Sequence, residues 1–147
     1  MHSDELRVDQ TMVKRLLCDQ FPAWRDLPVV PVASAGTDHA LYRVGPNFVA
    51  RLPRRPSARE QIQKEQLWLP VLQTSLPLEV PVPIAHGRPS EGYPWHWSIY
   101  RWIDGATAAS IQGPPKEGFA DDLAAFMCAL RNTNADGGPA PGPHNEW

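Results

Sequence analysis

Cysteine is nearly absent. Cys18 and Cys128 are the only two in 147 residues, far apart and without the paired spacing of a metal site. Both fall in helical patterns, so buried free thiols are expected at both positions. The five histidines, His2, His39, His86, His96 and His144, form no ligand cluster either. A positive excess is also lacking: 14 Lys and Arg stand against 16 Asp and Glu, for a formal net charge of −2. Domains that grip nucleic acid carry a basic excess or a basic run, whereas Arg51, Arg54, Arg55 and Arg59 make only a local patch, so no nucleic-acid partner is expected. No apolar run approaches the roughly 18 residues of a membrane span. Met1 to Glu5 is polar and acidic, unlike a secretory leader. The expectation is a cytoplasmic chain with no membrane partner.

Proline, by contrast, is abundant. The 17 prolines far exceed the usual share of about 5%. They are spread before strands, in turns and in a tail, which marks them as rigid connectors rather than a low-complexity tract.

The stretch that organises the chain is 33–55. Leu41, Tyr42 and Val44, then Phe48, Val49 and Leu52, are β-prone, and Gly45-Pro46-Asn47 supplies a turn between two strands. Ahead of them, Ser34-Ala35-Gly36-Thr37-Asp38 offers small side chains and free backbone N–H groups, which can lie close against phosphate oxygens. One strand later Arg51 places a fixed cation among apolar residues. Together these features point to a nucleotide seat.

On the amino-terminal side, Val8, Met12, Val13, Leu16 and Leu17 recur at helical spacing, predicting a helix over about 9–20 with Asp9 as its cap. A first strand over 29–34 contains Pro31, which favours an edge. Strands follow over 40–44 and 48–53. Ser57-Ala58-Arg59-Glu60 fits a capping box, predicting a helix from Ser57 to about Leu69 that Pro70 kinks or ends. On that helix Ile62, Gln66, Leu69 and Leu72 share a face, and Glu65 falls inside it. A carboxylate among apolar neighbours is costly unless paired and hydrogen-bonded, and Arg51 is the cation best placed to meet it. Strands are expected over 82–86 and, densely aromatic, over 95–103. Phe119, Leu123, Phe126, Met127 and Leu130 then predict a further helix, with Asp121 and Asp122 at its start suiting the dipole rather than a metal. The segment 134–147 reads as an extended tail.

This order of elements matches the smaller lobe of protein-kinase-like enzymes, and the sequence resembles the aminoglycoside phosphotransferase family. The residues that carry the likeness are Ser34 to Asp38 with Ala40-Leu41-Tyr42-Arg43, and Val49-Ala50-Arg51-Leu52-Pro53-Arg54. Lys64-Glu65-Gln66 with Trp68-Leu69-Pro70, Tyr93-Pro94-Trp95, Ser98-Ile99-Tyr100-Arg101-Trp102 and the tail from Gly137 to Asn145 add to it. The resemblance implies an α+β fold: a twisted antiparallel sheet of about five strands with flanking helices. It also implies a division into a nucleotide-binding lobe over 1–103, a hinge, linker and first large-lobe helix over 104–133, and a tail over 134–147 that begins a large lobe.

The same resemblance implies roles residue by residue. Ser34, Ala35, Gly36 and Thr37 would be the loop over the phosphates of ATP or GTP. Arg51 stands where kinases place the lysine that holds the α- and β-phosphates, and Glu65 where they place its helix partner. Arginine keeps that charge but spreads it over a fork. Tyr100 to Ile103 would be the hinge, with the Arg101 C=O and the Ile103 N–H meeting the base. His39 is assigned no role. Phosphoryl transfer would further need an Asp as proton acceptor and an Asn and Asp for magnesium. The family supplies these through a His-Gly-Asp motif and a magnesium loop, and the sequence contains neither: its His86-Gly87 is followed by Arg88. No catalytic or metal-ligating residue is therefore assigned, the chain is expected to be truncated before the catalytic loop, and a small hydroxylated substrate is expected only where a large lobe is present. The alternative is a non-catalytic remnant or binding module that retains the fold. Exposure of Phe119, Leu123 and Met127 would favour self-association.

Overall fold

In the computed structural model of the chain, the described residues are 5–33, 36, 38–90, 92–114 and 116–138. Helix α1 (Gln10–Gln20) leads into a short 3₁₀ turn at Pro22–Trp24 and an edge strand β1 (Val29–Pro31). A hairpin of β2 (His39–Val44) and β3 (Phe48–Pro53) follows, then α2 (Arg59–Ser75), β4 (Pro83–Gly87), β5 (Trp97–Arg101) and α3 (Phe119–Arg131). The sheet order is β1-β2-β3-β5-β4 and every pairing is antiparallel. The α+β class and the five-strand antiparallel sheet expected from the sequence are present, with strand bounds shifted by a few residues.

The strand period of two sorts side chains between two faces. The register sets Tyr42 against Ala50 and Ala50 against Ile99. On that face Ala40, Val44, Leu52 and Trp97 join them, and Val13, Leu16 and Leu17 of α1 close the core; all are buried. Fully burying each larger side chain of this kind contributes about 1.5–3 kcal/mol. Asp9 caps α1 by accepting the Met12 N–H at 2.8 Å, as its sequence position predicts. Two tyrosine hydroxyls that end in the core are satisfied by backbone: Tyr42 donates to Val8 O and Tyr93 to Pro53 O, each at 3.0 Å. At Gly87 a methyl group would lie 2.0 Å from the Trp97 indole, so the ring packs directly on bare backbone. Gly45, at φ 58°, makes the β2–β3 turn in the left-handed region that favours glycine.

Three expectations are corrected. The capping box does not form: Pro56–Ala58 is a 3₁₀ turn, Ala58 is the N-cap of α2, and no side chain caps it. Pro56 starts a tight turn at this point, moving the helix start past Ser57. Nor does α2 stop near Leu69. It runs through Pro70 to Ser75, where the Leu76 N–H closes on Leu72 O at 3.0 Å. Contacts of α2 with β4 and β5 offset the single donor that proline removes. Third, Cys18 and Cys128 are free but exposed, not buried. Cys18 follows the buried pair Leu16 and Leu17 round to the outer side of α1, and Cys128 belongs to a helix with no buried residue. No helix among the described residues is long and apolar enough to cross a membrane.

Candidate functional site

The second face of the sheet is not a plain apolar surface. Leu41 pairs with Arg51 and Arg51 with Ser98, so Arg51, Ser98 and, two residues on, Tyr100 share the side that α2 covers. Only Ile62 of α2 is fully buried there. Polar ties surround it. Arg51 Nη2 donates to Glu65 Oε1 at 3.0 Å, and the Tyr100 hydroxyl donates to Glu65 Oε2 at 2.6 Å. The Arg51 and Glu65 side chains are 24% and 20% exposed, so the pair is partly shielded and worth more than a surface bridge. One residue along the helix, Gln66 Nε2 donates to Ser98 Oγ at 2.7 Å, with Trp97 O at 3.5 Å. Two successive side chains of α2 are thus tied to β5, and the first also to β3.

Electrostatics follow from this geometry. Burial, and then the Glu65 charge, push the Tyr100 hydroxyl well above the usual tyrosine range, so it stays protonated and able to donate. Arg51 retains capacity for an anion: Nη2 is committed to Glu65, whereas Nε is buried with no hydrogen-bond partner, and the guanidinium carries five N–H donors. His39 lies at the head of β2 and is only 7% exposed. Burial and the neighbouring Arg51 charge lower its pKa to about 4, so the imidazole is neutral near pH 7.

The ends of the site are anchored. Asp38, just ahead of β2, is tied to the residues that follow β3: its carbonyl accepts the Arg54 N–H at 2.8 Å and its carboxylate meets Arg55 Nη1 at 3.3 Å. At the other end Trp102 donates its backbone N–H to Asn47 O at 2.8 Å. Its indole Nε1 donates to Asp104 Oδ1 at 2.7 Å, and Arg43 stacks 3.9 Å over its ring. Arg43 also donates to the carbonyls of Gly45 and Pro46. The segment leaving β5 is thereby fastened to the β2–β3 turn. In an antiparallel ladder successive residues alternate in direction. With Trp102 turned to β3, Arg101 turns to the other side, where its N–H meets Val82 O at 3.3 Å.

Of the residues singled out from sequence, Arg51, Glu65 and Tyr100 come together. Arg101 and Ile103 lie exposed at and just beyond the end of β5. Gly36 is exposed; Ser34, Ala35 and Thr37 fall outside the described residues. Sequence reasoning placed Tyr100 in the hinge but missed its hydroxyl bond to Glu65, and it missed the Gln66–Ser98 bond. The one signal available was the period of two that sets Ser98 and Tyr100 on the same face. It also gave His39 no role, although the fold buries it beside Arg51. Among the described residues no group of three or more His, Cys, Asp or Glu is placed to hold a metal.

A family model described as a phosphotransferase enzyme family matches residues 29–147. No curated protein matches the sequence. Among solved structures, the GDP complex of a mutant aminoglycoside 2'-phosphotransferase-IIIa superposes with a TM-score of 0.79 at 21% identity, covering 93% of this chain and 48% of that one. A GDP and kanamycin complex of a 2''-phosphotransferase gives 0.75 at 22%, covering 86% and 43%. A streptomycin–ATP ternary complex of another gives 0.61 at 18%, covering 91% and 43%. At these identities the likeness shows the fold, which is kinase-like. The chain spans less than half the length of these structures.

Proposed function

The chain belongs to the phosphotransferase enzyme family, and on that premise we propose that it is the nucleotide-binding lobe of an ATP- or GTP-dependent small-molecule phosphotransferase. A complete protein of this kind would move a γ-phosphoryl group to a substrate hydroxyl, aminoglycosides being the substrate type. The observation that carries the reading is the Arg51–Glu65 ion pair: a cation on the middle strand, held by an inward acid of α2. The residues present fit a nucleotide phosphate, because Arg51 has donors left over and a buried Nε without a partner.

In this assignment Arg51 grips the α- and β-phosphates, Glu65 orients Arg51, and the loop Ser34 to Thr37 covers the phosphates. The carbonyl of Arg101 and the N–H of Ile103 take the edge of the base. When bound, magnesium with ATP or GTP supplies the transferable phosphoryl group and offsets its charge. Its ligands, and the Asp that accepts the hydroxyl proton, are assigned to a large lobe. The corresponding division is 1–103 for the nucleotide lobe, 104–133 for hinge, linker and first large-lobe helix, and 134–147 for the start of the large lobe. Relatives of known structure hold GDP or ATP, and some an aminoglycoside, which supports both ligand classes for the complete protein.

Titration with magnesium ATP and magnesium GTP, followed through the emission of the six tryptophans, tests the reading. Saturable binding is expected. Arg51→Ala should weaken it about 10- to 100-fold, the equivalent of one charge-assisted hydrogen bond at roughly 1.5–3 kcal/mol. A variant that binds as tightly as the parent removes Arg51 from the phosphate site. A second reading is a non-catalytic module that keeps the fold. Neither reading gives these residues the catalytic Asp, so labelled ATP, magnesium and an aminoglycoside panel should show no turnover above a protein-free blank; nucleotide binding separates the two, and a chain that binds neither magnesium ATP nor magnesium GTP favours the module.

A further inference from the structure

We propose that the Tyr100 hydroxyl is a positioning group for the phosphate cation: by holding the second oxygen of Glu65 it fixes the carboxylate that aims Arg51. The inference rests on the nucleotide reading above for its consequence, but its physical content is a coupling within this chain.

A carboxylate with one partner can rotate about its terminal torsion, which is broad, and can follow a mobile arginine. Glu65 has two partners on opposite oxygens, Arg51 Nη2 at 3.0 Å and Tyr100 OH at 2.6 Å. They stand on adjacent strands, with Val49 opposite Tyr100 and Arg51 opposite Ser98, so the carboxylate bridges β3 and β5 and its plane is set by both. Tyr100 is itself packed into the fold, being 2% exposed. The Gln66–Ser98 bond at 2.7 Å fixes the next residue of α2, so the helix cannot carry Glu65 away without breaking a second contact. The cation is therefore aimed before any nucleotide arrives, and the cost of ordering it on binding is reduced.

The test is a double-mutant cycle on the full 147-residue chain with Tyr100→Phe, Arg51→Met and the pair. Tyr100→Phe keeps the ring and removes only the hydroxyl. Two readouts are needed. The first is affinity for magnesium ADP and GDP against adenosine and guanosine. Tyr100→Phe should weaken the diphosphates about 5- to 10-fold, the worth of one hydrogen bond, and change the nucleosides less than about twofold. In the Arg51→Met background the diphosphate effect should fall below about twofold. A ring that merely packs, or touches the base, would weaken nucleosides and diphosphates alike, and that result overturns the proposal. The second readout is the urea midpoint of the four proteins without ligand. The shift caused by Tyr100→Phe should differ between the two Arg51 backgrounds; additive shifts overturn the coupling. A parent that binds no nucleotide but shows the midpoint coupling refutes the nucleotide reading and leaves the positioning contact supported.

Discussion

Acid should destabilise this fold before its carboxylates begin to titrate, and His39 is the reason. The imidazole is 7% exposed, its Nε2 is buried with no hydrogen-bond partner, and the Arg51 guanidinium raises the cost of a second positive charge beside it. Asp38, its neighbour in the chain, acts the other way but more weakly. With a pKa of about 4 folded against 6.5 for the unconstrained group, the unfolded chain binds more protons between those values. Stability is therefore fully present above about pH 6.5 and is lost as pH falls towards 4. Linkage gives a loss of about 2 kcal/mol between about pH 7.5 and 5, and about 3 kcal/mol once pH is below about 4. That is a large part of a typical stability of about 5–15 kcal/mol. The assay is urea unfolding at closely spaced pH values from about 7.5 to 5, a range in which carboxylates are still mostly ionised. The parent should lose midpoint steadily, and His39→Gln should be flat over the same range. A His39→Gln chain with the parent's slope would refute the reasoning, because the proton uptake would then belong elsewhere.

Two other outcomes follow from packing. Gly87→Ala places a methyl 2.0 Å from the Trp97 ring, so the ring or the β4–β5 pairing must shift; a destabilisation of about 1–3 kcal/mol is expected in thermal or urea melts, and an unchanged melt would mean the contact is looser than described. The stripe of Phe119, Leu123 and Met127 is about half exposed at each position. Self-association through this stripe would give light scattering a concentration-dependent mass that Leu123→Glu with Met127→Glu abolishes, and a clean monomer at high concentration would rule it out.

Much of this molecule was legible in one dimension. Alternation around Tyr42 and Leu52, and the turn at Gly45, specified a hairpin through strand period and turn chemistry alone. The spacing of Leu16, Leu17 and Val13 specified which side of α1 is buried. Local signals fall short at α2: they have the helix kink or end near Leu69 and Pro70, whereas it continues to Ser75, and the capping signal at Ser57 yields to the 3₁₀ turn that Pro56 begins. Even the meeting of Arg51 and Glu65 was foreseeable, since an inward acid needs a cation and Arg51 lay among apolar residues on the preceding strand. What the order of residues left open was the third dimension of the site. Strand β5 inserts beside β3 although a helix and another strand separate them in the chain, and that neighbour relation alone puts the Tyr100 hydroxyl on Glu65 and Ser98 under Gln66. His39 is buried beside Arg51 through the pairing of β2 with β3. Periodicity assigns a side chain to a face, but only the pairing of distant strands decides which partners that face will hold.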